Sequence, residues 1–234
     1  MLIAVNYHGG VIDFQRGTSH VVQLITLRKA KTYIHRWGQT KSDMNGVERV
    51  WDLIEKFRRT EHYLDVIWQD IRRVLFKPKL ERLADMDENE FKKLMLSELF
   101  MRPRLGEAHI DKILSENDFR EIKIRLMNLL FGRGPLKDRL QAVIELKHVG
   151  PYIASQFLSL ISDDYIIYHE KVLDGIRSLL PELAKWLGLP ERVRTAEEYI
   201  HFNTICAIIK EYFGFRSLGE VHEFFWHGHD QGWF

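Results

Sequence analysis

The sequence predicts a mainly α-helical protein, α+β overall, with a small β-rich segment over residues 1–40 and a helical domain over 41–234. Three observations carry that expectation. β-Branched and aromatic runs separated by glycine turns fill the first forty residues, the pattern of short strands. After Asn45-Gly46 apolar residues recur every three or four positions, the period of a buried helix face. Around Gly150 two short periodic segments face each other across a turn, which predicts a helix-hairpin-helix over 135–161.

The N-terminal runs cover 2–7, 11–14, 20–27 and 32–37, with His8-Gly9-Gly10 and Arg16-Gly17-Thr18-Ser19 as turns between them. A sheet this small is marginal alone, so it needs the rest of the chain, or a second subunit in a homo-oligomer, to pack on. Val47, Val50, Trp51, Ile54, Phe57, Leu64, Ile67, Trp68, Ile71 and Leu75 then mark one long helix or two in tandem. Lys77-Pro78-Lys79 is expected to end it, because proline lacks the N–H that would continue the ladder. Asp87 and Glu90 have the spacing of a capping box ahead of Phe91, Leu94 and Met95. Asn117 is expected to cap a helix running through Leu130, which Gly132-Arg133-Gly134-Pro135 breaks. Further helices are expected near 135–146, 151–161, 170–180, 195–213 and 217–226.

Composition bounds the function. With 45% hydrophobic and 12% aromatic residues in 234, the chain can bury a sizeable core in one domain or two unequal ones. Its 34 basic and 33 acidic side chains nearly cancel, so any grip on a polyanion must come from a local basic face. No apolar run approaches the roughly 20 residues that span a bilayer. The start lacks a basic region followed by a small-residue cleavage site, so no membrane or secretory role is expected and the location is expected to be cytoplasmic. The single cysteine, Cys206, excludes an internal disulfide and suits a reducing compartment. Flanked by Ile205, Ala207, Ile208 and Ile209, it reads as a buried core thiol. There is no G-x-x-x-x-G-K-[ST] loop, dinucleotide fingerprint, nucleophile elbow or H-E-x-x-H zinc helix, so no cofactor is expected.

The stretch Leu146-Lys147-His148-Val149-Gly150-Pro151-Tyr152-Ile153-Ala154 carries the chemistry. Gly150 is expected at φ > 0, letting another backbone approach closely. Pro151 suits the first helical turn, where its missing N–H costs nothing. The opening N–H groups of the second helix have no intrahelical acceptor, and a phosphate diester oxygen is a natural occupant. Contacts of that kind position a protein on nucleic acid without reading its sequence.

The segment His148-Val149-Gly150-Pro151-Tyr152-Ile153-Ala154-Ser155-Gln156-Phe157-Leu158 resembles the helix-hairpin-helix of the DNA base-excision glycosylase superfamily, above all its adenine-glycosylase version. The resemblance implies a helical, glycosylase-like fold and binding to double-stranded DNA. Two positions depart from the pattern, and Tyr152 departs only from its bifunctional members. His148 stands where the family has glycine. His169, after the apolar run Tyr165-Ile166-Ile167-Tyr168, stands where the family has its catalytic aspartate. Tyr152 stands where bifunctional members carry a nucleophilic lysine, and a phenol forms no Schiff base. Cleavage of the glycosidic bond develops oxocarbenium-like charge that a carboxylate stabilises and an imidazole does not. Glu170, Asp163 and Asp164 are the carboxylates near enough in sequence to substitute.

Residues 118–226 are similar, more broadly, to the helical glycosylase-like module of McrB-type modification-dependent restriction proteins. The similarity rests on the run Leu130-Phe131-Gly132-Arg133-Gly134-Pro135-Leu136-Lys137-Asp138-Arg139-Leu140, the hairpin with Gly150 and Ser155, the run from Ser162 to Val172, and Tyr199, Phe202, Phe224, Phe225 and Trp226. It implies DNA recognition without base excision, with a motor or nuclease supplied by a separate subunit.

Lys147, His148, Gly150 and Tyr152 are therefore the expected DNA contacts, with Arg133, Lys137 and Arg139 as a basic rim and Lys171 beside the second helix. A structural helical hairpin and a solvated helix face are the plainer accounts of the same residues. Arg102 and Arg104 bracket Pro103 in a loop that could meet phosphate. His169, Glu170 and Asp164 are the catalytic candidates. At the corner the plainer account of His169 and Glu170 is a helix N-terminus, where Glu170 is favourable. Tyr165, Tyr168 and Trp226 could stack on an extruded base or simply fill the core. His222, His227, His229 and Asp230 suggest a metal cluster, but their spacing completes no tetrahedral set, so no metal is expected and the stretch reads as a frayed tail. Three readings follow: a DNA-recognition protein of a prokaryotic restriction, defence or DNA-processing system; a monofunctional DNA glycosylase with a displaced carboxylate; or a structural, oligomerising module.

Overall fold

A computed structural model describes residues 41–96 and 107–234, with side chains described from residue 48 onward. The chain divides into two compact units, Met1–Met44 and Asn45–Phe234. The expected β-rich segment lies outside the described residues, and so does the loop with Arg102 and Arg104. Among the described residues there is no strand, and the expectation of a mainly helical chain holds for them.

The described residues form eleven helices, in order: α1 (Lys41–Arg58), α2 (Tyr63–Glu81), α3 (Glu88–Leu94), α4 (Glu107–Glu116), α5 (Phe119–Phe131), α6 (Leu136–Ile144), α7 (Pro151–Ser159), α8 (Glu170–Leu179), α9 (Pro181–Trp186), α10 (Ala196–Phe213) and α11 (Leu218–Asp230). The tandem arrangement of α1 and α2 is the two-helix alternative. Pro78 does not end α2, which continues to Glu81 and a 3₁₀ turn at Leu83–Asp85. The reason lies downstream: Leu80 and Leu83 are fully buried, so packing carries the chain one turn past the ladder bond that the proline removes. At α3 the capping box forms as its spacing predicts. The Asp87 carboxylate accepts from the Glu90 N–H at 2.8 Å and the Glu90 carboxylate accepts from the Asp87 N–H at 3.1 Å.

Asn117 does not cap α5. Asp118 does, accepting from the N–H groups of Arg120 and Glu121 at 2.7 and 3.3 Å. A charged acceptor one residue nearer the helix is the better cap, and it leaves the Asn117 amide for another task.

The core of the second unit is built around α11, which packs against α8, α2 and α10. Every residue from Leu218 to Gly228 is buried, so this helix is no frayed tail. Gly175 of α8 allows the close approach: a Cβ there would meet Phe225 Cδ1 at 3.1 Å and Phe225 O at 3.2 Å. A helix buried all round must partner its polar side chains. Glu220, wholly buried, accepts from Arg58 Nε at 2.7 Å and from the Arg216 N–H. Cys206 of α10 is buried as expected, and burial pushes its thiol well above the usual value. Among the described residues no helix is long and apolar enough to cross a membrane.

Candidate functional site

The connection from α6 to α7 is anchored by two buried side chains, Leu146 and Val149, with the Val149 N–H donating to Leu146 O at 3.0 Å. Lys147 and His148 are turned outward between them. The left-handed residue of this connection is His148, at φ 63°, the one non-glycine residue at positive φ among the described residues. Gly150 is extended, at φ −98° and ψ −177°, which corrects the expectation that it supplies the positive φ. The turn needs its left-handed residue two positions earlier, where the glycosylase pattern has glycine. Histidine is among the residues enriched there, although left-handed backbone costs an L-residue about 1–2 kcal/mol.

Contacts from α4 hold that conformation. His148 Nε2 lies 3.0 Å from the Glu116 carboxylate, and the His148 carbonyl lies 3.0 Å from His109 Nε2. The Glu116 carboxyl is held below its ordinary value, chiefly by that hydrogen bond from His148, with the charges of Lys147 and Lys112 adding to it. Asn117 closes the other side: its Oδ1 accepts from the Lys147 N–H at 2.9 Å and its Nδ2 donates to Lys147 O at 3.0 Å. Gly150 is the N-cap of α7, no side chain caps this helix, and nothing lies within 4 Å of where a Gly150 Cβ would stand. The outcome is an open helix N-terminus with an exposed lysine three residues before it.

The basic residues differ in what they already hold. Arg133 is exposed, and so is the Lys147 side chain. Lys137 is paired with Glu197 at 2.5 Å, which raises its pKa. Arg139 is turned inward, donating to Gly134 O at 2.8 Å, to Asn128 O at 3.2 Å and to Leu129 O. It closes the C-terminus of α5, so it is not part of an outward basic rim. Lys171 pairs with Asp230 and lies 5.0 Å over the Trp226 ring.

The second part of the site is the corner where α7, α8 and α11 meet. His169 is the N-cap of α8, its Nδ1 accepting from the Lys171 N–H at 3.1 Å. Its ring stands 3.9 Å from that of Trp226 and edge-on to Tyr152 at 5.6 Å. The run leading to it has no regular secondary structure and is held by side chains. Asn203 Oδ1 accepts from the Ile166 N–H at 2.8 Å, Tyr199 OH donates to Ile166 O at 2.8 Å, and Ser155 Oγ accepts from the Tyr168 N–H at 2.9 Å. Tyr168 is core: it is buried, its hydroxyl accepts from the Val193 N–H at 3.3 Å, and burial raises its pKa.

None of the candidate carboxylates is seen to contact this corner. Glu170 pairs with Arg192 at 2.9 Å on the open surface, both side chains being more than half exposed. Asp164 accepts from Ser162 Oγ at 2.8 Å within its own loop, and Asp163 is exposed. The corner thus presents imidazole, phenol and indole. Trp226 is buried there, so its ring packs in the core, and the Asp230 carboxylate beside it is paired with Lys171.

Sequence reasoning missed α4, with His109, Lys112 and Glu116, and the role of Asn117. The spacing of Ile110, Ile113 and Leu114 carries a signal for α4 itself, but the contacts of His109, Glu116 and Asn117 have no local signal, because their partners lie 30 or more positions away. Compared with models of known protein families, with curated proteins and with solved structures, the chain matches none.

Proposed function

We propose that this chain is a DNA-binding protein that grips the duplex backbone through a helix-hairpin-helix formed by α6, the 145–150 connection and α7. It acts without base excision, as a recognition component of a prokaryotic restriction, defence or DNA-processing system, with any motor or nuclease on a separate subunit. The observation that carries the reading is the open α7 N-terminus at Gly150, with Lys147 exposed beside it. Backbone N–H groups at a helix start, the helix dipole and a nearby ammonium form a phosphate site with no base preference. The near-neutral net charge of +1 leaves binding to this local group and to Arg133. His169 in place of a carboxylate, with Glu170 paired to Arg192, supports recognition over hydrolysis.

The test is a fluorescence-anisotropy titration with duplex DNA, unmodified and carrying methylated or oxidised bases, at two salt concentrations. Samples are afterwards heated in alkali and examined for strand breaks. Salt-sensitive binding without breaks is expected, with the salt slope reduced by about 1 in Lys147→Ala. Failure to bind at low salt overturns the reading and leaves a structural module. Breaks at one modified base overturn its non-catalytic part.

A further inference from the structure

Helix α2 shows solvent an apolar face. Its polar side chains turn to partners within the chain: Asp65 meets His227 at 2.9 Å, Gln69 donates to Glu223 at 2.5 Å, and Arg73 donates to Ser159 O at 3.1 Å. Arg216 takes the Asp70 carboxylate. Every exposed residue from Leu64 to Leu75 is instead apolar, namely Leu64, Ile67, Trp68, Ile71, Val74 and Leu75. Val74 is 75% exposed, Leu64 65% and Leu75 51%. A helix on the surface of a monomer ordinarily puts charged and polar residues there.

Three observations say what covers this face. The first is its size. The six side chains leave roughly 500 Å² of apolar surface open, near the top of the range for the largest patch on a monomer. Two copies laid face to face would bury about 1,000 Å², the least that a specific interface needs. The second is its spacing. Leu64, Trp68, Ile71 and Leu75 follow one another at steps of four, three and four, the seam of two helices packed side by side. A two-fold axis between positions 69 and 70 sets Leu64 of one copy opposite Leu75 of the other, and Trp68 opposite Ile71. Ile67 and Val74 then meet along one flank of the seam. The third is charge. Glu61 is exposed just before α2, and Lys77 and Lys79 are exposed near its end. An antiparallel pair puts Glu61 of one copy beside Lys77 and Lys79 of the other, whereas a parallel pair sets like charges together.

We infer that this face binds a second copy of the chain, the two α2 helices packing antiparallel about a two-fold axis. The same patch serves both copies, as a closed dimer requires. The pairing uses the side of α2 turned away from α11, so it leaves the α2–α11 contacts in place.

The test is sedimentation equilibrium of the full chain without DNA, so its result does not depend on the hairpin. A dimer is expected at micromolar concentration. Val74→Glu is expected to weaken association by about a hundredfold or more, because two-fold symmetry loses each contact twice. The dissociated variant should melt at the temperature of the dissociated wild type. Orientation is read by disulfide trapping. Leu64→Cys and Leu75→Cys chains, mixed and oxidised, should crosslink to each other. Neither should crosslink alone, since like positions lie about 16 Å apart along antiparallel helices. Cys206 is buried and stays out of the reaction. A wild-type chain that is monomeric at every concentration overturns the interface; a fall in its melting temperature with Val74→Glu would then show the face to be covered by the chain's own residues. A dimer that survives both Val74→Glu and Ile71→Glu overturns the choice of face. Crosslinking of Leu64→Cys alone overturns the antiparallel pairing.

Discussion

The Asn117 side-chain amide pairs with both backbone polar groups of Lys147, accepting from its N–H at 2.9 Å and donating to its carbonyl at 3.0 Å. One side chain thereby does for an isolated turn what a neighbouring strand does in a sheet. Its Nδ2 also reaches Ile113 O at 2.8 Å, so the same amide closes α4. Asn117→Ala is expected to cost about 1–3 kcal/mol, the usual loss for a removed hydrogen-bonding partner. It should also speed amide exchange at Lys147 and weaken duplex binding while leaving far helices protected. Denaturant titration, hydrogen exchange and DNA-binding anisotropy measure the three effects.

His148 sits at φ 63° where an L side chain is strained. His148→Gly removes the strain but gives up the Glu116 contact and frees the unfolded chain, so its stability should stay within about 1 kcal/mol of wild type. His148→Val keeps a side chain that tolerates this region worst. It should be less stable than the glycine variant by about 1–2 kcal/mol. Equal denaturation midpoints for the two variants would show that the turn relaxes away from positive φ.

Arg133 and Arg139 lie six positions apart and should behave oppositely. Arg139 donates to two carbonyls in the last turn of α5, those of Asn128 and Leu129, and to that of Gly134 beyond it. Arg139→Ala should therefore lower stability by about 1–3 kcal/mol through unpaired carbonyls, with little change in the salt slope of DNA binding. Arg133→Ala should leave the melting temperature unchanged and reduce that slope. Thermal melts and anisotropy on the same two proteins separate the effects.

Alkaline pH probes the core through Cys206 and Tyr199. Burial raises the pKa of both well above the ordinary value. The native state holds these protons while the unfolded chain releases them. Their contribution to stability is thus intact below the unfolded values, near pH 9 for the thiol and 10 for the phenol. It falls as pH rises further, by about 1 kcal/mol per pH unit for each group. Urea midpoints measured from pH 8 to 11 check the direction. At pH 8 a thiol reagent should label Cys206 only at the rate of global unfolding.

Much of this protein was legible in the sequence, because the signals were local. The Asp87–Glu90 capping box, the buried setting of Cys206 and the helices either side of Gly150 each depend on residues within a turn or two. The failures share one cause as well. Pro78 reads as a helix end until Leu80 and Leu83 are seen to be buried, and Asn117 reads as a cap until Lys147 is placed beside it. The stretch from His222 to Asp230 reads as a tail because its polar residues look destined for solvent. Yet α11 is the most enclosed helix described, and its polar side chains meet Arg58, Asp65 and Gln69. Helix starts, stops and faces follow from neighbours along the chain, whose geometry the backbone fixes at 3.6 residues per turn. Which histidine meets which carboxylate across 162 positions follows only from which faces bury each other, and no local spacing encodes that.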